Sequence, residues 1–191
     1  SPINWQIING ESEGYCTIHF VDEGIDTGDI LTQESFSIGP NETAGEVITK
    51  TNEIFPRILI DTIRRFSSKT VKTIKQDNRN ATYYAKRLPV DGQITWGTQT
   101  ANQVHNLIRG LHGPALPGAF CFYRDQKIVL GKSSLIQSRI KGPPGRVIFK
   151  RGESVIVAAK DKSLEILEVR LEGDSLMKPA SEFLARGTTL Y

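Results

Sequence analysis

The sequence predicts an α+β chain in two parts, residues 1–88 and residues 89–191. Three observations carry this. Thr17-Ile18-His19-Phe20-Val21 alternates apolar and polar residues, as a half-buried strand does. Val47, Ile48, Ile54, Leu59, Ile60 and Ile63 recur as a long apolar pattern behind Thr43-x-x-Glu46, a capping-box signature. From Gly118 onward, short strand-like runs follow one another at even spacing between Gly, Pro, Asp and Lys turns, which is the pattern of a small barrel.

Taken in order, Ile8-Asn9-Gly10 reads as a helix end with glycine just past the last turn. A first strand enters a short acidic loop, and a second strand leaves it near Ile30 and runs to Ile38, where Gly39-Pro40-Asn41 stops it. The capped helix follows, and Pro56 inside its pattern predicts a kink or a break. Residues 67–81 are polar and lack apolar periodicity, so they read as a linker over the surface. Thr98 to Leu111 is helical, with Ala101, Val104, Ile108 and Leu111 on one face, and Gly113-Pro114 ends it. Strands are expected over 119–123, 127–130, 134–140, 145–149, 154–159 and 164–171, with a short closing helix over 180–184.

Hydrophobic content of 38% and a net charge of +3 allow a buried core and do not indicate disorder. The longest apolar stretches are strand-sized, so no transmembrane helix is expected. The opening Ser1-Pro2-Ile3-Asn4-Trp5 has no basic start or signal-peptide run, and a cytoplasmic protein is expected. Cys16 and Cys121 sit in strand-like apolar settings and read as buried free thiols, with no disulfide framework or zinc pattern. His19, His105 and His112 make no metal site with the available carboxylates. Residues 1–88 hold 10 Lys and Arg against 12 Asp and Glu, whereas residues 89–191 hold 14 against 9. Arg124, Lys127, Lys132, Arg139, Lys141, Arg146, Lys150 and Arg151 are opposed only by Asp125. They form either a basic face for phosphate or strand edges kept soluble by charge.

The acidic loop is the most informative stretch. Asp22, Glu23, Asp26 and Asp29 lie between two strands. Carboxylates that close repel and raise one another's pKa, so a purely structural turn more often uses Asn, Ser or one Asp. Asp26 before Thr27-Gly28 also reads, on its own, as the cap of a turn. Thr17, His19, Phe20, Asp22, Gly24, Asp26, Thr27 and Gly28 together match the pattern T-x-H-F/Y-x-D-x-G-x-D-T/A-G. This stretch resembles the active-site loop of the formyltransferases that use formyltetrahydrofolate. The second half is similar to the C-terminal domain of the methionyl-tRNA and amino-sugar members. The similarity rests on Asp91-Gly92-x-Ile94-x-Trp96, His105 to Arg109, Pro117-Gly118-Ala119, Gly145-x-Val147, Leu171-x-Gly173 and Ala180-x-x-Phe183-Leu184.

The resemblance implies the C-terminal part of an α/β formyltransferase domain with its linker to residue 88, then an OB-like open β-barrel over 89–191. It implies 10-formyltetrahydrofolate as co-substrate and Asp26 as the catalytic carboxylate. Asp22, Glu23, Gly24, Ile25, Thr27 and Gly28 would line the folate pocket, with His19 supporting the loop. An Asn-x-His motif that aims donors at the developing oxyanion belongs, in that family, just before a segment like Ser1 to Trp5. An N-terminal catalytic half is therefore expected upstream.

Tyr84, Lys86 and Arg87 sit at the junction of the halves. There the cations suit a diphosphate and Tyr83 or Tyr84 a base, or the segment is a linker fastened by aromatic packing. The expected acceptor is a nucleotide-linked amino sugar, with methionyl-tRNA second. The alternative is a catalytically inactive module that binds RNA or a partner.

Overall fold

Pro2–Ile8 form helix α1, which ends at Gly10 with φ +80°. Strands β1 (Glu13–His19) and β2 (Ile30–Ser37) pair antiparallel, from Glu13 with Ser37 to Ile18 with Thr32. The register slips between Ile18 and His19, where the acidic loop departs. The computed structural model describes residues 2–114 and 116–191, so Ser1 of the opening motif lies outside the described residues.

Helix α2 (Ala44–Ser67) starts with a reciprocal cap. Thr43 Oγ1 accepts from Glu46 N at 3.3 Å, and the Glu46 carboxylate accepts from Thr43 N at 2.8 Å. The helix runs through Pro56 without the expected break. Asn52 and Pro56 are both exposed, so the carbonyl that Pro56 leaves without an N–H faces water. Val47 and Ile58 are buried with Ile7, Cys16, Phe36, Ile38 and Ala44, whereas Leu59, Ile60, Ile63 and Phe66 on the same helix are exposed. Residues 67–81 are more than a surface linker. Ile74 pairs with Ile30 through both backbone bonds, at 2.8 and 2.9 Å, and ties the segment to the start of β2.

Helix α3 (Ala101–Gly110) is capped by Thr100 with Gln103. Its face of Ala101, Val104, Leu107 and Ile108, with Leu111 beyond, is buried in the second apolar cluster. Burial of Ile108 and Leu111 contributes about 1.5–3 kcal/mol each. Strands β3 (Ala119–Tyr123), β4 (Gln126–Leu135), β5 (Val147–Arg151), β6 (Ser154–Ala158) and β7 (Ser163–Leu171) form one antiparallel path in the order β3-β4-β7-β6-β5. A two-residue strand β8 (Lys178–Pro179) pairs with β7, and α4 (Ala180–Phe183) follows.

One expectation needs correction here. The strand foreseen over 127–130 and the first residues of that foreseen over 134–140 are one strand, β4, which ends at Leu135 and whose register shifts around Lys132 as a bulge, and residues 136–140 are not strand. Gly131 inside it is no turn signal, because a Cβ there would stand 2.8 Å from Met177 Sδ. The described strands do not close into a barrel: β3 and β5 are the two ends of the path. The C-terminal segment bonds to both ends instead. Phe122 and Tyr191 exchange backbone bonds on the β3 side, and Leu190 N donates to Gly145 O and Val147 N to Thr188 O on the β5 side.

Helix α3 also fastens the halves together. Asn4 Nδ2 donates to Gly110 O at 2.5 Å. Arg109 Nη1 donates to the carbonyls of Gly39 and Glu42 at 3.2 and 3.1 Å. His105 Nε2 donates to Pro40 O at 3.0 Å, and its Nδ1 meets Ser133 Oγ at 2.9 Å. Both side chains are buried, which lowers the affinity of His105 for its second proton and draws the Arg109 guanidinium below its ordinary value. The thiols of Cys16 and Cys121 are free and buried, and burial pushes Cys121 up to about 12. Among the described residues, no helix is long and apolar enough to cross a membrane.

Candidate active site

The loop between β1 and β2 closes where Phe20 N donates to Asp29 O at 3.0 Å. Closure brings Gly28 under Phe20 so tightly that a Cβ would stand 1.8 Å from the Phe20 carbonyl oxygen. No other residue fits there. Asp22 braces the loop from within. Its Oδ1 accepts from Thr27 Oγ1 at 2.5 Å and from Gly24 N at 3.1 Å. The Thr27 hydroxyl, and next the Gly24 N–H, hold the Asp22 carboxyl below the usual carboxylate range. Glu23 is exposed at the tip.

Asp26 projects from this frame, with its side chain 86% exposed. Its backbone lies at φ +57°, the left-handed region that non-glycine residues adopt only when held. Its Oδ1 stands 3.5 Å from His19 Nε2. His19 Nδ1 is 2.7 Å from Phe20 O, and a carbonyl can only accept, so Nδ1 carries a hydrogen. A neutral His19 therefore presents the lone pair of Nε2 toward Asp26, and the contact becomes attractive when one proton is added between the two groups. The arrangement suits the receipt of a proton from an incoming group.

Asp26 and Thr27 open on a cleft of about 650 Å³ whose other wall is the returning linker, including Gln76, Asn78, Asn80 and Tyr83. Val21 and Ile25 extend from the polar loop 93% and 89% exposed, while Gly28 is buried. Of these two exposed apolar side chains, Ile25 lines the cleft of Asp26.

The junction residues lie elsewhere. Tyr84 stacks on Trp5 with ring centres 5.4 Å apart and accepts from Asn9 Nδ2 at 3.1 Å. Trp5 Nε1 donates to Ala85 O at 3.2 Å, so this segment is fastened to α1. Lys86 is exposed and Arg87 half-buried, with Arg87 Nη1 enclosed and without an acceptor among the described residues. It is Tyr83 that lines the cleft of Asp26. A larger cleft of about 830 Å³ lies between the start of α2, α3 and β4, away from the acidic loop. Among the described residues no group of three or more His, Cys, Asp or Glu is placed to hold a metal ion.

Sequence reasoning missed Gln76. Its Nε2 donates to Asp26 O at 2.8 Å and to Gly28 O at 2.7 Å. A lone Gln in a polar stretch carries no local signal for such a contact. Of the basic residues over 124–151, several are occupied individually: Lys127 by Glu172, Lys150 by Ser181 O, Arg146 by Thr189 and Arg151 by Glu165 at 3.9 Å.

Comparison with known proteins bears on both halves. Residues 1–63 match the family model described as formyl transferase, and residues 88–187 match formyl transferase, C-terminal domain. A methionyl-tRNA formyltransferase of Alkaliphilus oremlandii is 36% identical over 177 residues, covering 92% of this chain and 56% of that protein. The chain thus spans a little over half the length of such curated relatives. A sugar 3N-formyl transferase solved in the presence of dTDP and 5-N-formyl-THF is 25% identical with a TM-score of 0.67, covering 91% of this chain and 60% of that one. An N-formyltransferase from Helicobacter canadensis, solved with folinic acid and dTDP-3-aminofucose, is 25% identical with a TM-score of 0.66, covering 86% and 58%.

Proposed function

The chain belongs to the formyltransferase family, and from that premise we propose that the whole protein moves a formyl group from 10-formyltetrahydrofolate to the primary amine of a nucleotide-linked amino sugar. The observation that carries the reading is Asp26, held at φ +57° with its carboxylate beside His19 and open to a cleft. The co-substrate supplies the formyl carbon that the amine attacks and the nitrogen that leaves. Asp26 Oδ1 and His19 Nε2 take the proton that the amine loses as the new C–N bond forms. Val21, Ile25 and the backbone from Asp22 to Gly28 hold the folate ring, and Asp22 with Thr27 keeps that backbone in shape. Oxyanion donors come from the upstream half, where the family's Asn-x-His belongs.

We take residues 1–88 as the remainder of the catalytic domain with its linker, and residues 89–191 as an OB-like open barrel. Two separate apolar clusters and a C-terminal segment bonded to both ends of the sheet path support this. Two buried free thiols accord with a cytoplasmic protein. Of the junction residues, Tyr83 lines the cleft and Lys86 and Arg87 follow it in sequence, and we assign these three to gripping a nucleotide, whereas Tyr84 is engaged with Trp5.

A second acceptor, methionyl-tRNA, is favoured by the sequence of the Alkaliphilus relative. Against it, Lys127 is paired with Glu172 and Arg151 lies 3.9 Å from Glu165, which neutralises part of the basic run. Formylation assays of the intact protein with both acceptors separate the two. A tRNA acceptor also requires binding that falls steeply with salt. The reading of the site is tested by Asp26→Asn in the intact protein. Turnover should fall by about 10²–10⁴-fold while folate affinity survives, and unchanged turnover removes Asp26 from the mechanism.

A further inference from the structure

Resting on the reading that Asp26 serves the transfer, we propose that Gln76 is a positioning residue that sets where the Asp26 carboxylate stands. A primary amide nitrogen has two hydrogens, and the Gln76 nitrogen meets two main-chain carbonyls, those of Asp26 and Gly28. One side chain therefore staples the loop on both sides of Thr27. The staple acts at the residue with the least comfortable backbone, Asp26 at φ +57°. Asp22, the other brace, reaches only the Thr27 hydroxyl and the Gly24 N–H and does not touch the Asp26 backbone.

Gln76 is itself presented from a fixed base. Two residues before it, Ile74 exchanges backbone bonds with Ile30. Immediately after it, Asp77 accepts from Arg79 N at 3.1 Å and caps the turn over Asn78–Asn80. The linker thus carries a rigid arm onto the loop, and the same arm forms the opposite wall of the Asp26 cleft. Loop and linker are both exposed, so releasing the staple should barely change global stability. It should matter for chemistry, which responds to displacements of about 1 Å.

The test uses the intact protein with Gln76→Glu and Gln76→Ala. Gln76→Glu keeps the shape but turns a carboxylate toward two carbonyl oxygens. We expect kcat to fall about tenfold to a hundredfold, with KM for amine and folate changed less than about threefold and the melting temperature nearly unchanged. The ratio of Gln76→Glu to wild-type turnover should rise as pH falls, because the introduced carboxyl regains one donor once it is protonated. Gln76→Ala, which has nothing to protonate, should show no such rise, and it stands in if Gln76→Glu does not fold. Turnover and pH profile like wild type in both variants overturn the proposal, as does a loss confined to KM and melting temperature. Asp26→Asn run alongside distinguishes the failures. If it stays active the reading of the site is wrong, and if it is inactive while both Gln76 variants turn over normally, only the role of Gln76 falls.

Discussion

In the acidic loop, Gln76 donates to the carbonyls of Asp26 and Gly28 at the surface. At the α3 junction, Arg109 and His105 donate to the carbonyls of Gly39, Glu42 and Pro40 from buried positions. Both are side-chain donors closing on exposed ends of the main chain, and they differ in whether water can replace the donor. At the junction the donors are buried and the carbonyls partly covered, so water replaces a lost donor less readily. At the loop it can, so the loss is one of placement rather than of folding. The same chemistry therefore fixes the fold in one region and adjusts geometry in the other.

The largest effect that can break this contrast is at Arg109. Arg109→Met keeps the stem but strips the Gly39 and Glu42 carbonyls of their donor, and urea unfolding should show a loss of about 2–4 kcal/mol. Relief of the desolvation that lowers the guanidinium's affinity for its proton keeps the loss from being larger. A loss no greater than that from an exposed arginine such as Arg64 would mean the junction is wetter than its burial implies. Gly28→Ala comes next, since its Cβ would collide with the Phe20 carbonyl and force the loop aside. In the intact protein it should lower turnover about a hundredfold while costing only about 1–2 kcal/mol of stability. A reversed balance, with activity kept and stability lost, would erase the distinction between the regions.

His105 sharpens the contrast through pH. Burial lowers its folded-state pKa below the ordinary histidine value, so the unfolded chain binds the extra proton more readily. The charged or titratable groups that line the same cleft are Arg109 on its own helix, His112, Lys132 on β4, Glu168 on β7 and Glu46 at the start of α2. The neutral ring's contribution is fully present above about pH 6.5 and declines as pH falls through that value toward the folded pKa. The urea midpoint should drop over that range. His105→Gln, whose amide can still donate to Pro40 O, should flatten the drop, and an equal drop in the variant would assign it to another group.

What could be read from the sequence followed the range of the interactions. The cap at Thr43, the buried face of α3 and the glycine-bearing acidic loop are all set by residues within a few positions of one another. The joined strand β4 was not legible, because Gly131 and Lys132 carry the composition of a turn while their real constraints are Met177 and a bulge against β7. Pro56 does not break α2 for a related reason: its cost depends on whether Asn52 faces water, which only packing decides. The Gln76 contacts span 50 and 48 residues and reach backbone atoms, which no side-chain pattern records. Asp26 was singled out by the resemblance of its loop to a family pattern, and its left-handed backbone and its contact with His19 left no mark in the sequence.

The smallest effect tests whether the loop is a mechanical frame or a charged one. Thr27→Val keeps the branched shape and removes the hydroxyl that does most to hold the Asp22 carboxyl below its usual range. The Gly24 N–H remains, so Asp22 should titrate closer to an ordinary aspartate without reaching it, as read from its side-chain carbon shift. In the wild type that lowered pKa contributes stability above the ordinary carboxylate range and loses it as pH falls through the folded value. The variant should therefore lose less stability on acidification, while at neutral pH its melting temperature moves by less than about 2 °C. If the neutral-pH melting temperature falls far more than that, the bond between Asp22 and Thr27 supports the fold as the α3 junction does. If it holds while turnover drops severalfold, the bond belongs with Gln76 among the contacts that place Asp26.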